Sequence, residues 1–161
     1  MKRFRTILHP TDFSPGSAAA FQVACDLAKE YDGKVIVIFA MGSVVPIAAD
    51  GVILSSNFDE LRLLAEKELD AIRPTDPAVR FERVFRKGPA TAVILEAADE
   101  YDADIIVMGT HGRTGFRRLV LGSVTEEVLR NALCPVLTVK SPVSRAAKPT
   151  PADATMIGAG I

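Results

Sequence analysis

The sequence is poor in the features that mark several specialised classes of protein. It has only two cysteines, and its 19 basic and 20 acidic side chains leave a formal charge of −1. The absence of a basic excess argues against a nucleic-acid partner, because affinity for nucleic acid comes largely from neutralising phosphates. Cys25 and Cys134 lie far apart in apolar surroundings, and we therefore expect reduced thiols rather than a disulfide.

Long apolar runs are also missing. No stretch approaches the roughly 18 apolar residues of a membrane span. The N-terminal residues 1–10 lack the apolar stretch of a signal peptide. We therefore expect a cytoplasmic protein that has no membrane partner. Hydrophobic residues still make up 48% of the chain, which is enough for a core that depends on neither metal nor disulfide.

Short apolar segments alternate with amphipathic ones along residues 1–140, which we assign to one domain. The pattern predicts five strands with helices in the intervals between them. The strands are expected at Phe4–His9, Lys34–Met41, Arg80–Arg86, Asp104–Met108 and Pro135–Lys140. Such a β-α-β order requires right-handed crossovers and a parallel sheet. Residues 141–161 show no periodicity and are predicted to form a flexible tail.

A glycine-rich segment, Gly109–Thr125, joins the fourth strand to the last helix. Ligands of open parallel sheets bind just beyond the carboxyl ends of the strands, so a ligand is expected at this segment. We expect the backbone amides of Ser123, Val124 and Thr125 to bind an anion at the helix N-terminus, with the hydroxyls of Ser123 and Thr125 as further donors. The glycine spacing fits neither the Walker A loop nor GxGxxG, which disfavours a P-loop kinase and a dinucleotide dehydrogenase.

Other candidate residues admit more than one interpretation. Asp12 is either a turn residue or a hydrogen-bond acceptor for a nucleoside. His111 has no partner at metal-ligand spacing, so a loop histidine is favoured over a metal ligand. Ser123 lacks the Gly-x-Ser-x-Gly elbow of a nucleophile, which favours anion binding. We assign no catalytic residue and no protein-held metal; any Mg²⁺ would be held mainly by phosphate oxygens and water.

Three motifs resemble those of one known family, the universal stress proteins. Gly109, Gly112, Gly122 and Ser123 form Gly-x2-Gly-x9-Gly-Ser, which resembles the family's ATP-binding signature. Residues 7–14 resemble its first strand and aspartate turn, and residues 134–139 resemble its last strand. The similarity spans about residues 4–140.

The resemblance implies an open five-stranded parallel α/β sheet of order 3-2-1-4-5 with helices on both faces, the adenine nucleotide alpha hydrolase-like arrangement. It also implies an ATP site, with adenosine against the ends of strands 1, 2 and 4. Positions 39 and 40 read Phe-Ala where the family pattern has His-Val. The residues that the resemblance and the helix N-terminus together assign to the nucleotide are Pro10, Thr11, Asp12, Ala40, Met108, Gly109, Thr110, His111, Gly112, Arg113, Thr114, Gly115, Gly122, Ser123, Val124 and Thr125.

The last strand is apolar and would lie at an edge of that sheet. Such an edge either pairs with another chain or is covered by the tail. The resemblance implies a homodimer through Val136, Leu137, Thr138 and Val139. The function we expect is that of a homodimeric ATP-binding stress-response module. A slow ATP hydrolase or a phosphoryl or nucleotidyl transferase at the same site is the alternative, and a structural dimer that binds no nucleotide is a third possibility.

Overall fold

A computed structural model of the chain describes residues 4–42, 58–110 and 121–140. Strands and helices alternate along these ranges, as the sequence pattern predicts. The elements are β1 (Thr6–Pro10), α1 (Pro15–Glu30), β2 (Lys34–Met41), α2 (Phe58–Ala71), β3 (Arg80–Lys87), α3 (Ala90–Glu100), β4 (Ile105–Gly109), α4 (Ser123–Asn131) and β5 (Val136–Val139). The predicted tail, residues 141–161, lies outside the described residues.

The five strands form one sheet in the order β3-β2-β1-β4-β5, and each neighbouring pair is parallel. The predicted strand order is therefore confirmed. β1 lies at the centre of the sheet, between β2 and β4. The carboxyl ends of these three strands consequently meet at one edge of the sheet.

The first strand differs from its prediction, because Pro10 belongs to β1 instead of ending it. The amide of Thr11 donates to the carbonyl of Ile38 in β2, at 2.9 Å. Since amides point alternately to the two sides of a strand, an amide at position 10 would face β4. The pairing of β1 with β4 extends only from Ile7 to Leu8. The missing N–H of Pro10 therefore falls beyond that pairing and leaves the sheet intact.

Two apolar layers cover the faces of the sheet, and adjacent strand residues contribute to opposite layers. Ile7 and Val107 belong to the layer under α1 and α2, together with small side chains of α1 such as Ala20 and Ala24. Leu8 belongs to the other layer, with residues of α3 and α4. Burial on both faces explains why the central strands read as continuous apolar runs in the sequence.

A capping hydroxyl and a proline stabilise the start of α1. The Ser14 hydroxyl accepts a hydrogen bond from the amide of Ser17 at 3.2 Å, and Pro15 occupies the first helical position. After the helix, Asp32 adopts a left-handed backbone with φ of 50°. Gly33 follows because a Cβ at that position would lie 2.7 Å from the carbonyl oxygen of Phe4.

Cys25 and Cys134 are reduced thiols, as expected. Burial raises the pKa of the Cys25 thiol to about 11, with the nearby Asp26 carboxylate acting in the same direction. Within the described ranges, no helix combines the length and the apolar character that crossing a membrane requires.

Candidate functional site

A cavity of about 280 Å³ lies at the carboxyl ends of β1, β2 and β4, beside the N-terminus of α4. This is the edge at which ligands of open parallel sheets bind. Its described lining consists of Pro10, Thr11, Asp12, Ser17, Ile38, Phe39, Ala40, Ala90, Ile94, Met108, Gly109, Gly122, Ser123, Val124 and Thr125. The only charged side chain in this lining is Asp12.

One end of the cavity is apolar. Ile38 and Ala40 come from β2, Met108 comes from β4, and Ala90 and Ile94 come from the first turns of α3. Apolar walls with a few polar groups at defined positions are typical of sites for small organic ligands. This part of the lining suits an apolar group better than it suits a charged group.

Another part of the lining is formed by the N-terminus of α4. The Gly122 amide donates to the carbonyl of Thr110 at 2.9 Å, and the Thr110 amide donates to Val139 at 3.0 Å, so the start of the helix is fixed to β4 and β5. Among the described residues, none accepts a hydrogen bond from the backbone amides of Ser123, Val124 or Thr125. A helix N-terminus with such amides carries partial positive charge and attracts anions.

The hydroxyl of Thr125 behaves differently from our expectation. It donates to the carbonyl oxygen of Gly109 at 3.1 Å, and the side chain is buried. The hydroxyl therefore connects α4 to the end of β4 and does not serve as a donor to a ligand. The exposed Ser123 side chain is the hydroxyl that stays available at this end of the cavity.

Gly109 has a packing role in addition to its place in the cavity. A Cβ at this position would lie 3.1 Å from the carbonyl carbon of Gly16 and 3.4 Å from the amide nitrogen of Ser17. β4 and the N-terminus of α1 approach so closely that a larger residue would displace one of them. The glycine is explained by this contact even without a ligand.

The turn after β1 contributes Thr11 and Asp12 to the cavity. One carboxylate oxygen of Asp12 accepts a hydrogen bond from the Ser14 amide at 3.0 Å, which is the turn interaction. The same residue lines the cavity. The two interpretations of Asp12 are therefore compatible, because one side chain both closes the turn and borders the space for a ligand.

His9 is completely buried beneath this turn. Its Nδ1 atom lies 2.9 Å from the carbonyl oxygen of Val107, which can only accept, so Nδ1 carries the proton. Its Nε2 atom lies 3.4 Å from the Ser17 hydroxyl, which in turn is 2.8 Å from the Thr11 hydroxyl. Burial lowers the pKa of His9 to about 4, although the Val107 hydrogen bond and the Asp12 charge oppose the shift. His9 therefore has a structural role.

The cavity brings together most of the residues that were predicted to bind a nucleotide. Thr110 is described but is not part of the lining, since its backbone is used in contacts with Gly122 and Val139. The predicted residues His111, Gly112, Arg113, Thr114 and Gly115 lie outside the described residues. Among the residues that are described, no cluster of three His, Cys, Asp or Glu side chains could hold a metal ion.

Sequence reasoning missed several lining residues, namely Ser17, Ile38, Phe39, Ala90 and Ile94. One of them, Ile38, had a usable signal. Ile38 lies two positions before Ala40 and so shares its face of β2. Ala90 and Ile94 are four apart at the start of a helix, so they share a helical face, but nothing in the sequence shows that this face borders the cavity.

The strand order, the cavity at the strand ends and the helix N-terminus beside it define an open-sheet α/β protein with a ligand cavity at the carboxyl edge of its sheet. Residues 3–140 match the model of the universal stress protein family, and the chain belongs to that family. The resemblance of the three sequence motifs to this family is thereby confirmed.

Relatives support the assignment along most of the chain. A universal stress protein of Methanocaldococcus jannaschii is 36% identical over 145 residues, which cover 86% of this chain and 84% of the relative. The solved structure of hypothetical protein MJ0577 superposes with a TM-score of 0.76 at 27% identity, covering 89% of this chain and all of that one. A universal stress protein solved in complex with cAMP superposes with a TM-score of 0.59 at 26% identity, covering 87% and 99% of the two chains.

Proposed function

We propose that this universal stress protein binds an adenine nucleotide, ATP in the first instance, in the cavity at the carboxyl edge of the sheet. The adenine lies at the apolar end, against Ile38, Ala40 and Ile94. The phosphates lie on the amides of Ser123, Val124 and Thr125. Bound ATP then reports the energy state of the cell to a stress response.

The observation that carries the proposal is the group of α4 amides, which have no acceptor among the described residues and border a cavity. A hydrogen bond to a charged group contributes about 1.5–3 kcal/mol net. Two or three such bonds to phosphate oxygens, aided by the helix dipole, are sufficient to hold the anionic part of a nucleotide. An uncharged ligand would not benefit from this arrangement.

The choice of an adenine nucleotide rests on two further supports. The apolar end of the cavity accommodates a base, and the cavity volume of about 280 Å³ approaches the range of small-molecule sites. In addition, a family member that superposes along 87% of this chain has been solved with cAMP, which is an adenine nucleotide. Any accompanying Mg²⁺ is held mainly by phosphate oxygens and water in this proposal.

Calorimetry with a matched pair of variants tests the proposal. We expect the protein to bind ATP with micromolar affinity, about −8 kcal/mol, and Gly122→Val to abolish that binding. The backbone of Gly122 has φ of −61°, which other residues adopt freely, so valine introduces no backbone strain at this position. Gly42→Val is the control, because a Cβ at Gly42 meets nothing within 4 Å. Unchanged affinity in Gly122→Val would refute the phosphate assignment.

We further propose that the protein is a homodimer through Val136, Leu137, Thr138 and Val139. Among the described strands, β5 pairs with β4 alone, and Leu137 is 38% exposed. The other edge strand, β3, has the sequence RFERVFRK, whose charges discourage pairing. β5 has the sequence VLTV, which carries no charge. The two edges thus differ in the property that decides whether a strand pairs with another chain.

We also propose that the protein is cytoplasmic and that it binds ATP without hydrolysing it. Hydrolysis of ATP at this site is the alternative, and it would have to use Asp12, the one carboxylate in the described lining. A phosphate-release assay with Mg²⁺, run on the wild type and on Asp12→Ala, separates the two. Cell fractionation tests the location.

A further inference from the structure

Phe13 has an unusual backbone conformation for a bulky residue. Its φ is 64°, in the left-handed region that glycine tolerates and that other residues rarely adopt. Such a conformation persists only where the surrounding structure stabilises it, and it is found most often at functional sites. Phe13 directly follows Asp12, which lines the cavity. The strained residue therefore lies where it controls the direction of the chain at the proposed nucleotide site.

The side chain of Phe13 stacks on Phe39 of β2. The two ring centroids are 4.6 Å apart, and the planes are inclined by 26°. Offset stacking of this kind stabilises beyond the apolar area that it buries. Phe39 also lines the cavity, so the stack connects the turn after β1 to the strand that provides one wall of the site.

Hydrogen bonds also hold the turn around Phe13. The Phe13 amide donates to the Thr11 hydroxyl at 3.2 Å, and the Ser14 amide donates to Asp12 at 3.0 Å. Both bonds are local, between residues two apart. The stack on Phe39 is the contact that ties this part of the turn to another strand.

We propose that Phe13 and Phe39 are positioning residues for Asp12. Their stack stabilises the left-handed backbone at Phe13, and that backbone holds the Asp12 carboxylate at the cavity. Without the stack, the turn spends part of its time in a relaxed conformation. The apparent affinity for a ligand then falls in proportion to the fraction of molecules whose turn is in the binding-competent conformation. This inference rests on the proposed nucleotide function and gives a role to two residues that were not among those assigned to the nucleotide.

Two substitutions of Phe13 distinguish a ring that stabilises the backbone conformation from a ring that only fills space. Phe13→Ala removes the ring and keeps the unfavourable φ, whereas Phe13→Gly removes the ring and also the penalty on φ. We expect Phe13→Ala to bind ATP roughly tenfold more weakly than the wild type, which corresponds to about 1.4 kcal/mol. We expect Phe13→Gly to recover much of this loss, although glycine is the smaller residue.

Phe39→Leu provides the second arm of the experiment. It should weaken ATP binding in the wild-type background and have little effect in the Phe13→Gly background, because glycine does not need the stack. Phe81→Leu, the same change on β3 outside the described lining, is the control and should leave the affinity unchanged. If Phe13→Ala fails to fold, the two Phe39→Leu measurements decide the matter alone.

The outcomes are distinct. If Phe13→Gly binds ATP no better than Phe13→Ala, or if Phe39→Leu weakens binding equally in both backgrounds, the rings only fill space and the inference is overturned. In that case the wild type still binds ATP, and the proposed function stands. If the wild type binds no adenine nucleotide, the proposed function itself fails, and the positioning role fails with it.

Discussion

Acidification should destabilise the protein through His9. Burial lowers the pKa of this imidazole from 6.5 to about 4, so the folded protein keeps it neutral at a pH where the unfolded chain protonates it. The unfolded state then binds more protons, and stability falls as the pH falls. The loss begins near pH 6.5 and is complete near pH 4. At about 1.4 kcal/mol per unit of pKa, it amounts to about 3 kcal/mol.

Urea unfolding at a series of pH values between 7.5 and 4 measures this effect. Carboxylates also titrate in the lower part of the range, so the comparison must be made with a variant that lacks the imidazole. His9→Asn keeps an N–H group that can donate to the Val107 carbonyl but does not titrate. We expect the stability of the wild type to fall more steeply than that of His9→Asn, by about 3 kcal/mol over the whole range. Parallel curves for the two proteins would refute the assignment of a buried neutral histidine.

Further predictions concern the dimer, the helix contacts and the chemistry. Leu137→Lys should convert a dimer into a monomer in light scattering, because it places a charge on the β5 edge; a wild type that is already monomeric would contradict the interface. Thr125→Val should lower the free energy of unfolding by about 1 kcal/mol, since the Gly109 carbonyl loses its donor, whereas Thr125→Ser should keep it. Gly109→Ala should lower the free energy of unfolding by about 1–3 kcal/mol through overpacking against α1, and a neutral result in denaturant melts would disprove the close contact. With ATP and Mg²⁺, phosphate release should stay at background; release that Asp12→Ala abolishes would favour the hydrolase.

The elements of the fold follow from local patterns in the sequence. The segment Lys34–Met41 reads as a continuous apolar run, and β2 has the same bounds. Ser14 and Pro15 predict the start of α1 because they combine a capping hydroxyl with a residue suited to the first turn. The β-α alternation alone requires a parallel sheet, but the order of its strands came from the family resemblance. Periodicity does not determine which strands are neighbours.

The cavity could be predicted only in part. Its anion-binding part could be predicted because a glycine and a serine directly precede a helical pattern in the sequence. The physical properties of a helix N-terminus do not depend on the rest of the fold. The Thr125 hydroxyl was assigned to the ligand, since its partner, the Gly109 carbonyl, becomes a neighbour only when α4 packs beside β4. The stack of Phe13 on Phe39 was equally invisible, because it depends on the left-handed backbone at Phe13 and on the position of β1 beside β2.

Nuclear magnetic resonance on ¹⁵N-labelled protein during a titration with ATP would test most directly whether α4 binds the phosphates. We expect the amide resonances of Ser123, Val124 and Thr125 to shift as the nucleotide binds, and titration with adenosine to leave them nearly unmoved while it shifts Ala40. If saturating ATP leaves these three amides unchanged, α4 does not bind the phosphates, whatever the affinity.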